Sequence, residues 1–203
     1  MNEAFLSVED LALARGEAIL FAGLSFAVAP GDIVWLQGPN GSGKSSLLRA
    51  LAGFLSPMAG RIVRQGRPQD MIAYIGHKDG FTERSRIGDE ARFWGLGDGA
   101  LAGMMSPAPD PARRISTLSA GQRRRLQLAI IERRARPVWL LDEPFAALDA
   151  GGVRQLSRRI VERAAGGGAA VIASHRGLPE FGREVTRIRL VTEDAARQVG
   201  DHA

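Results

Sequence analysis

The chain contains no cysteine. A disulfide framework and a thiolate metal site are therefore excluded, which is compatible with a reducing compartment. No run of residues approaches the ~20 apolar positions that a membrane-spanning helix needs. The start of the chain, Met1 to Phe5, carries an acid and no base, so we expect no secretion signal. These absences predict a soluble protein whose attachment to a membrane would run through other chains.

Lysine is scarce as well, because the 203 residues hold only Lys44 and Lys78. The net charge of +5 therefore rests on arginine. Nucleic acid, an anionic membrane surface, or no functional partner would each account for it, since most arginines are interspersed with acids. Two clusters, Arg123–Arg125 and Arg133–Arg134, keep the first two alternatives open. The length and the hydrophobic content of 45% predict one well-buried α/β domain with room for a small subdomain.

Lys44 lies in a glycine-rich loop between an apolar run and an amphipathic segment. The loop fits G-x-x-x-x-G-K-[ST], and its flanks, 33–36 and 47–52, predict a buried strand and a helix. The alternative is a flexible glycine turn before an ordinary helix. Inward-pointing N–H groups and a helix N-terminus bind phosphate, so we expect Lys44 on the β- and γ-phosphates and Ser45 on Mg²⁺. The predicted phosphate site comprises Gly38, Pro39, Asn40, Gly41, Ser42, Gly43, Lys44, Ser45 and Ser46.

The spacing of apolar residues predicts how the rest of the chain is organised. Residues 4–28 alternate as antiparallel strands do, and later strands alternate with amphipathic helices, which is typical of a largely parallel sheet. Residues 78–117 break this pattern with glycine, proline and charge, and we interpret them as an inserted, mostly helical subdomain. The polar residues 192–203 are expected to form a flexible tail.

Two adjacent carboxylates follow the apolar run Val138–Leu141. Parallel α/β proteins place their active sites at this end of their strands. We expect Asp142 to hold Mg²⁺ through its water shell and Glu143 to polarise the water that attacks the γ-phosphate. Neighbouring strand residues point to opposite faces, so the strand must end here, and Pro144 indicates that it does. The alternative is an acid pair at a helix N-terminus.

Three further motifs add a family resemblance. Leu118–Gln122, reading Leu-Ser-Ala-Gly-Gln, resembles the signature motif of ATP-binding cassette (ABC) proteins; Ala147–Asp149 resembles their D-loop, and His175 their switch histidine. The resemblance covers nearly the whole chain. It implies a P-loop NTPase fold of the ABC nucleotide-binding type, with a mainly parallel core sheet, an N-terminal antiparallel β subdomain and an inserted helical subdomain in one domain, 1–203. It also implies an ATPase that uses ATP and Mg²⁺.

The resemblance further implies a second copy of the chain. In the family, residues matching Ser119, Gly121, Gln122 and Asp149 complete the site of the partner subunit, in a head-to-tail dimer with two ATP molecules sandwiched between the copies. A lone monomer is then expected to be nearly inactive. Taken singly, Ser119 is equally well an ordinary helix N-cap, and His175 an ordinary core or surface histidine.

Two positions depart from the family pattern. His77 stands where the family usually has a glutamine that contacts Mg²⁺ and water. A protonated imidazole repels Mg²⁺, so we expect ATPase activity to fall in mildly acidic buffer. The aromatic residue that usually stacks on adenine is missing, and Arg15 or Phe21 is expected to take its place. Ala146, at a common serine position of the D-loop, decides little.

The short length, Tyr74–His77 and Asp142–Phe145 together resemble the haem exporter ATP-binding subunits of bacterial cytochrome c maturation. That resemblance implies a peripheral position on the cytoplasmic face of the bacterial inner membrane, integral membrane permease subunits as partners, and ATP hydrolysis that drives release of a haem-loaded chaperone. The subdomain 78–117 is expected to dock the permease through Phe93 and Trp94, unless these belong to the core. Another ABC importer or exporter is the main alternative. A non-transport ABC ATPase is disfavoured because the chain has neither a tandem cassette nor a coiled coil, so no nucleic-acid partner is expected.

Overall fold

The computed structural model describes residues 4–96, 109–175 and 177–190, and they form two sheets. An antiparallel sheet has the order β2-β1-β4, and a parallel sheet has the order β5-β6-β7-β3-β8. This confirms the predicted antiparallel N-terminal part and parallel core. The strands are β1 (Leu6–Arg15), β2 (Ala18–Val28), β3 (Ile33–Gln37), β4 (Ala59–Arg64), β5 (Ile72–Ile75), β6 (Val138–Asp142), β7 (Ala169–Ala173) and β8 (Thr186–Arg189).

Two of the helices begin at residues whose side chains cap them. Ser119 and Asp149 each accept a hydrogen bond from a backbone N–H of the first turn of the helix that follows, which stabilises its start. The second of these helices ends at Gly166 because three successive glycines favour a turn. The helices are α1 (Lys44–Leu51), α2 (Pro68–Met71), α3 (Ile87–Phe93), α4 (Ala120–Arg133) and α5 (Ala150–Ala165), with a 3-10 turn at Ile115–Thr117.

The strands β6 and β7 of the parallel sheet are buried on both faces, which explains their continuous apolar sequences. Along β6, Val138 and Leu140 belong to a core that contains α1 and the antiparallel sheet. Trp139 and Leu141 point the other way and pack with residues of α4 and α5. Because β6 lies between β5 and β7 in a parallel sheet, its carboxyl end reaches the same edge of the sheet as theirs. In the described part of the chain no helix has the length and apolar character to span a bilayer.

The structure departs from the sequence-based prediction in two places. The strand β8 was not predicted, because only Ile188 among its four residues is apolar and buried. The sequence places His175 directly after an apolar run that we interpret as the last strand of the core. That interpretation is wrong, because β8 follows β7 in the chain and joins the same sheet. The spacing of Leu126, Ala129 and Ile130 predicts a helix that ends near Arg136. Helix α4 instead ends at Arg133, and Ala135 has a left-handed φ of 49° just beyond it.

The inserted subdomain remains a prediction. Its described part contains α3 and the 3-10 turn, and these pack with α4 in a small apolar core of their own. Residues 97–108 of the predicted subdomain lie outside the described residues, and so does the predicted tail, 192–203.

Candidate functional site

The glycine-rich loop joins β3 to α1 and leaves little room for side chains. A Cβ on Gly38 would lie 2.5 Å from Ser42 Oγ and 2.7 Å from Leu190 O. A Cβ on Gly43, which has φ 93°, would lie 3.0 Å from the ring of Phe21. Glycine at these two positions lets the loop wrap tightly and present its N–H groups at the start of α1.

Lys44 is held at the mouth of this loop. Its Nζ donates hydrogen bonds of 2.7 Å to Gly38 O and to Pro39 O. Burial lowers the pKa of Lys44, and the nearby carboxylates of Glu143 and Asp142 oppose that shift. The ammonium group therefore lies between the carbonyls of the glycine-rich loop and two carboxylates.

Asp142 ends β6 and offers oxygen to a metal ion. It is 2% exposed, and the Ser45 hydroxyl forms a hydrogen bond with its carboxylate. Its Oδ2 has no hydrogen-bond partner among the described residues. Burial raises the pKa of Asp142. Oxygen donors from one carboxylate and one hydroxyl suit Mg²⁺, which takes its remaining ligands from water and substrate phosphates. No cluster of three His, Cys, Asp or Glu suited to a metal occurs among the described residues.

Glu143 follows Asp142 with a left-handed φ of 47°, which turns its side chain away from the strand direction. Its N–H donates to Ala173 O at 2.9 Å, so the turn is anchored to β7. Its Oε1 accepts from the His175 backbone N–H at 2.8 Å and lies 2.7 Å from Nδ1 of the same residue. Ser174 Oγ donates to Oε2 at 3.3 Å. The predicted glutamate and the predicted histidine thus form one unit.

The structure brings most of the predicted residues together around a cavity of about 370 Å³. Three residues of the predicted phosphate site do not line this cavity. The carbonyls of Gly38 and Pro39 accept hydrogen bonds from Lys44, and Ser42 is buried beneath the loop. Leu20 is a lining residue that the sequence did not reveal, since nothing separates it from its apolar neighbours. The lining residues are Arg15, Leu20, Asn40, Gly41, Gly43, Lys44, Ser45, Ser46, His77, Asp142, Glu143 and His175.

One of the two residues expected to stack on a base is excluded. Phe21 is 4% exposed and packs in the core beneath Gly43, so its ring faces no ligand. Arg15 lines the cavity and remains the candidate. This choice required the structure, because Arg15 and Phe21 are similarly close to the loop in sequence.

The signature residues form a separate surface. Gln122 N–H donates to Ser119 Oγ at 3.2 Å and Ser119 N–H donates to Gln122 Oε1 at 2.9 Å, a reciprocal capping box. A Cβ on Gly121 would lie 2.6 Å from Ala147 O, so the start of α4 packs directly on the D-loop. Asp149 caps α5 by accepting from Gly152 N–H at 2.7 Å. None of the four predicted residues lines the cavity of Lys44.

Comparison with known proteins agrees with this geometry. A family model described as "ABC transporter" matches residues 21–146. The cytochrome c biogenesis ATP-binding export protein CcmA of Roseobacter denitrificans is 43% identical over 175 residues, 84% of each chain. A putative bifunctional cytochrome c-type biogenesis protein CcmAE of Salmonella choleraesuis is 37% identical over 92% of this chain and 59% of its own length.

A solved structure supports the fold. A putative ABC transporter ATP-binding protein from Pyrococcus furiosus superposes with a TM-score of 0.75 at 22% identity, over 91% of this chain and 96% of that one. The assignment to a family rests on the family model and on the similar sequences, since this solved structure supports the fold alone. The chain belongs to the ABC transporter family, as an ATP-binding subunit close to the cytochrome c biogenesis ATP-binding export proteins.

Proposed function

We propose that this chain hydrolyses ATP to drive the export step of bacterial cytochrome c biogenesis, as the ATPase subunit of the haem exporter. The observation that carries the catalytic part is the Glu143 carboxylate, held by His175 at a cavity that also contains Lys44 and Asp142. Cytochrome c biogenesis is proposed because relatives of that name are about 40% identical over most of the chain.

Each residue of the cavity has a part in hydrolysis that follows from its position. The loop N–H groups and Lys44 bind the β- and γ-phosphates and withdraw charge from the γ-phosphorus. The Glu143 carboxylate accepts the proton of the attacking water while the new P–O bond forms and the bond to the bridging oxygen of ADP breaks. His175 fixes that carboxylate through two nitrogens, so the base does not rotate out of line.

Mg²⁺ fits next to Ser45 and Asp142. The carboxylate oxygen Oδ2 of Asp142 is buried and has no hydrogen-bond partner in the described part of the chain, and a buried acceptor of this kind is costly unless it is satisfied. When bound, the ion would neutralise charge on the phosphate oxygens. His77 lines the same cavity and is our candidate for the position where the family usually has glutamine.

A second copy of the chain is the proposed source of the other half of the site. Ser119 is exposed at the start of a 14-residue helix, whose N–H groups and dipole favour a phosphate. Because this surface lies outside the cavity of Lys44, it serves an ATP molecule bound by another subunit in the head-to-tail dimer. Gly121 allows the start of α4 to lie against the D-loop. The signature residues and Asp149, which both contribute to that dimer, are therefore held together.

The permease is proposed to dock beside α3. Phe93 is 77% exposed, whereas Trp94 is partly buried, packs against the small core and lies under Arg134. This favours Phe93 as the contact and Trp94 as its support. The chain would then sit on the cytoplasmic face of the inner membrane. The bifunctional Salmonella relative extends well beyond the matched part, and this favours a further biogenesis protein as a neighbour.

The test is a pulldown from bacterial membranes with Glu143→Gln as bait in the presence of ATP. We expect integral membrane subunits and bound ATP to be recovered together, and expect Phe93→Ser to reduce that recovery. Val63→Ser, a similar exposed apolar change on the antiparallel sheet, is the matched control. Recovery of ATP-loaded dimers without any membrane chain would overturn the role in export.

A further inference from the structure

The three arginines at the start of α4 are not a free basic patch, because each is held by another segment of the protein. Arg123 donates to Glu83 at 2.6 Å and to Asp79 at 3.3 Å, in the segment that follows β5. Arg125 donates to Asp149 of the D-loop at 2.6 Å. From the sequence, nucleic acid and an anionic membrane surface were alternative partners for this cluster. In the fold, its arginines have partners within the protein itself.

Arg124, the middle residue, contacts the backbone of two segments whose next or own side chains line the cavity of Lys44. It is 7% exposed. One terminal nitrogen, Nη1, donates to Gly76 O at 3.3 Å and to Gln127 Oε1 at 3.0 Å. The other, Nη2, donates to Glu143 O at 3.3 Å. A single guanidinium therefore bridges the peptide that precedes His77 and the peptide of the proposed catalytic base.

The bridge from Arg124 matters because Glu143 has a backbone conformation that needs support. Its left-handed φ of 47° is an unfavourable conformation for a residue with a side chain, and it persists only where neighbours hold it. The Glu143 carbonyl accepts from Arg124 and also from Ala146 N–H at 3.1 Å. The guanidinium is planar and rigid, so it sets the separation of the two carbonyls that it joins. A lysine ammonium has one nitrogen and cannot span both in the same way.

We propose that Arg124 is a positioning residue for ATP hydrolysis, which places the Glu143 carboxylate and His77 at a common distance from the γ-phosphate by holding the peptides of Gly76 and Glu143. The inference rests on the proposed function, in which Glu143 is the base. Arg124 is not among the residues that line the cavity of Lys44. Its loss should therefore slow the chemical step and leave nucleotide binding by the glycine-rich loop largely intact.

The test compares Arg124→Gln and Arg124→Lys in the transport complex isolated from membranes. We expect Arg124→Gln to lower kcat by roughly 10- to 100-fold, because small misplacements of a catalytic group have effects of this size. KM for ATP and the affinity for a fluorescent ATP analogue should stay within about threefold of wild type. Arg124→Lys should lie between wild type and Arg124→Gln, because it keeps the charge and one of the two contacts. Arg133→Gln is the matched control and should be unchanged, because Arg133 is exposed on the same helix and its one hydrogen bond within the described part of the chain goes to Gly95 O at 3.3 Å.

The outcomes separate this inference from the function on which it rests. A folded Arg124→Gln complex with wild-type kcat overturns the inference, and so does a loss of kcat that only follows a loss of ATP binding and of folded protein. If Arg124→Gln does not fold, the kcat and KM values of Arg124→Lys decide, measured below its thermal midpoint. A wild-type complex without ATPase activity would instead overturn the proposed function, whatever the variants do.

Discussion

Replacing Glu143 by glutamine removes the proposed base and keeps its shape. The two nitrogens of His175 converge on Oε1, and a glutamine amide oxygen at that position can accept the same hydrogen bonds. Ser174 Oγ lies 3.3 Å from the other oxygen, where the amide NH₂ can donate to it. The turn after β6 should therefore survive in Glu143→Gln, and changes in activity report chemistry and not unfolding.

The size of the effect follows from the role of the carboxylate. A positioned general base contributes roughly 10²- to 10⁴-fold in rate, which is about 3 to 5 kcal/mol of the barrier. The substitution also removes a negative charge beside Lys44, so it should not weaken binding of the anionic phosphates. We expect kcat to fall at least about 100-fold while KM for ATP does not rise.

The assay is phosphate release by the isolated transport complex at saturating ATP and Mg²⁺, together with the nucleotide retained after gel filtration. Glu162→Gln is the matched control, because this glutamate is exposed on α5, away from the cavity, and it should leave kcat unchanged. Turnover of Glu143→Gln within about threefold of wild type would show that the base is another group. The proposed role of His175 as its support would then fail as well.

Three other changes test separate parts of the structure. Gly121→Ala places a Cβ 2.6 Å from Ala147 O, so ATPase activity of the complex should fall at least about tenfold with unchanged ATP binding; equal activity would contradict the tight packing of α4 on the D-loop. Burial outweighs the nearby arginines and raises the pKa of Glu132 from 4.5 to about 7. Between these two values the unfolded chain loses this proton before the folded chain does, so the free energy of unfolding of wild type should fall by about 3 kcal/mol as pH rises. Thermal midpoints of Glu132→Gln should lack that decline between pH 5 and pH 8, and parallel curves for variant and wild type would refute it. His77→Gln should keep ATPase activity, because glutamine is the residue that the family usually has at this position, and a loss of activity would contradict the assignment of His77 to it.

The parts of the site that were predictable are those built from contiguous residues. The loop around Lys44 combines glycine, a cation and a hydroxyl within one strand-loop-helix unit, and local backbone chemistry alone makes that unit a phosphate cradle. Asp142 and Glu143 were predictable because a buried parallel strand must deliver its next residues to the sheet edge. The edge strand β8 was not predictable, since its residues carry almost no apolar pattern and its pairing with β3 arises from long-range contact.

The sequence by itself determined the chemistry of this protein and its family, because phosphate binding, the acid pair and the signature motif depend on short runs of residue types. Only the tertiary structure decided which residues work together. It joined Glu143 to His175 across 32 positions of sequence, excluded Phe21 by burying it, and turned Arg123–Arg125 from a possible binding patch into internal contacts. The physical reason is that burial and hydrogen-bond partners are properties of the packed chain, and identical side chains at the surface and in the interior differ in both.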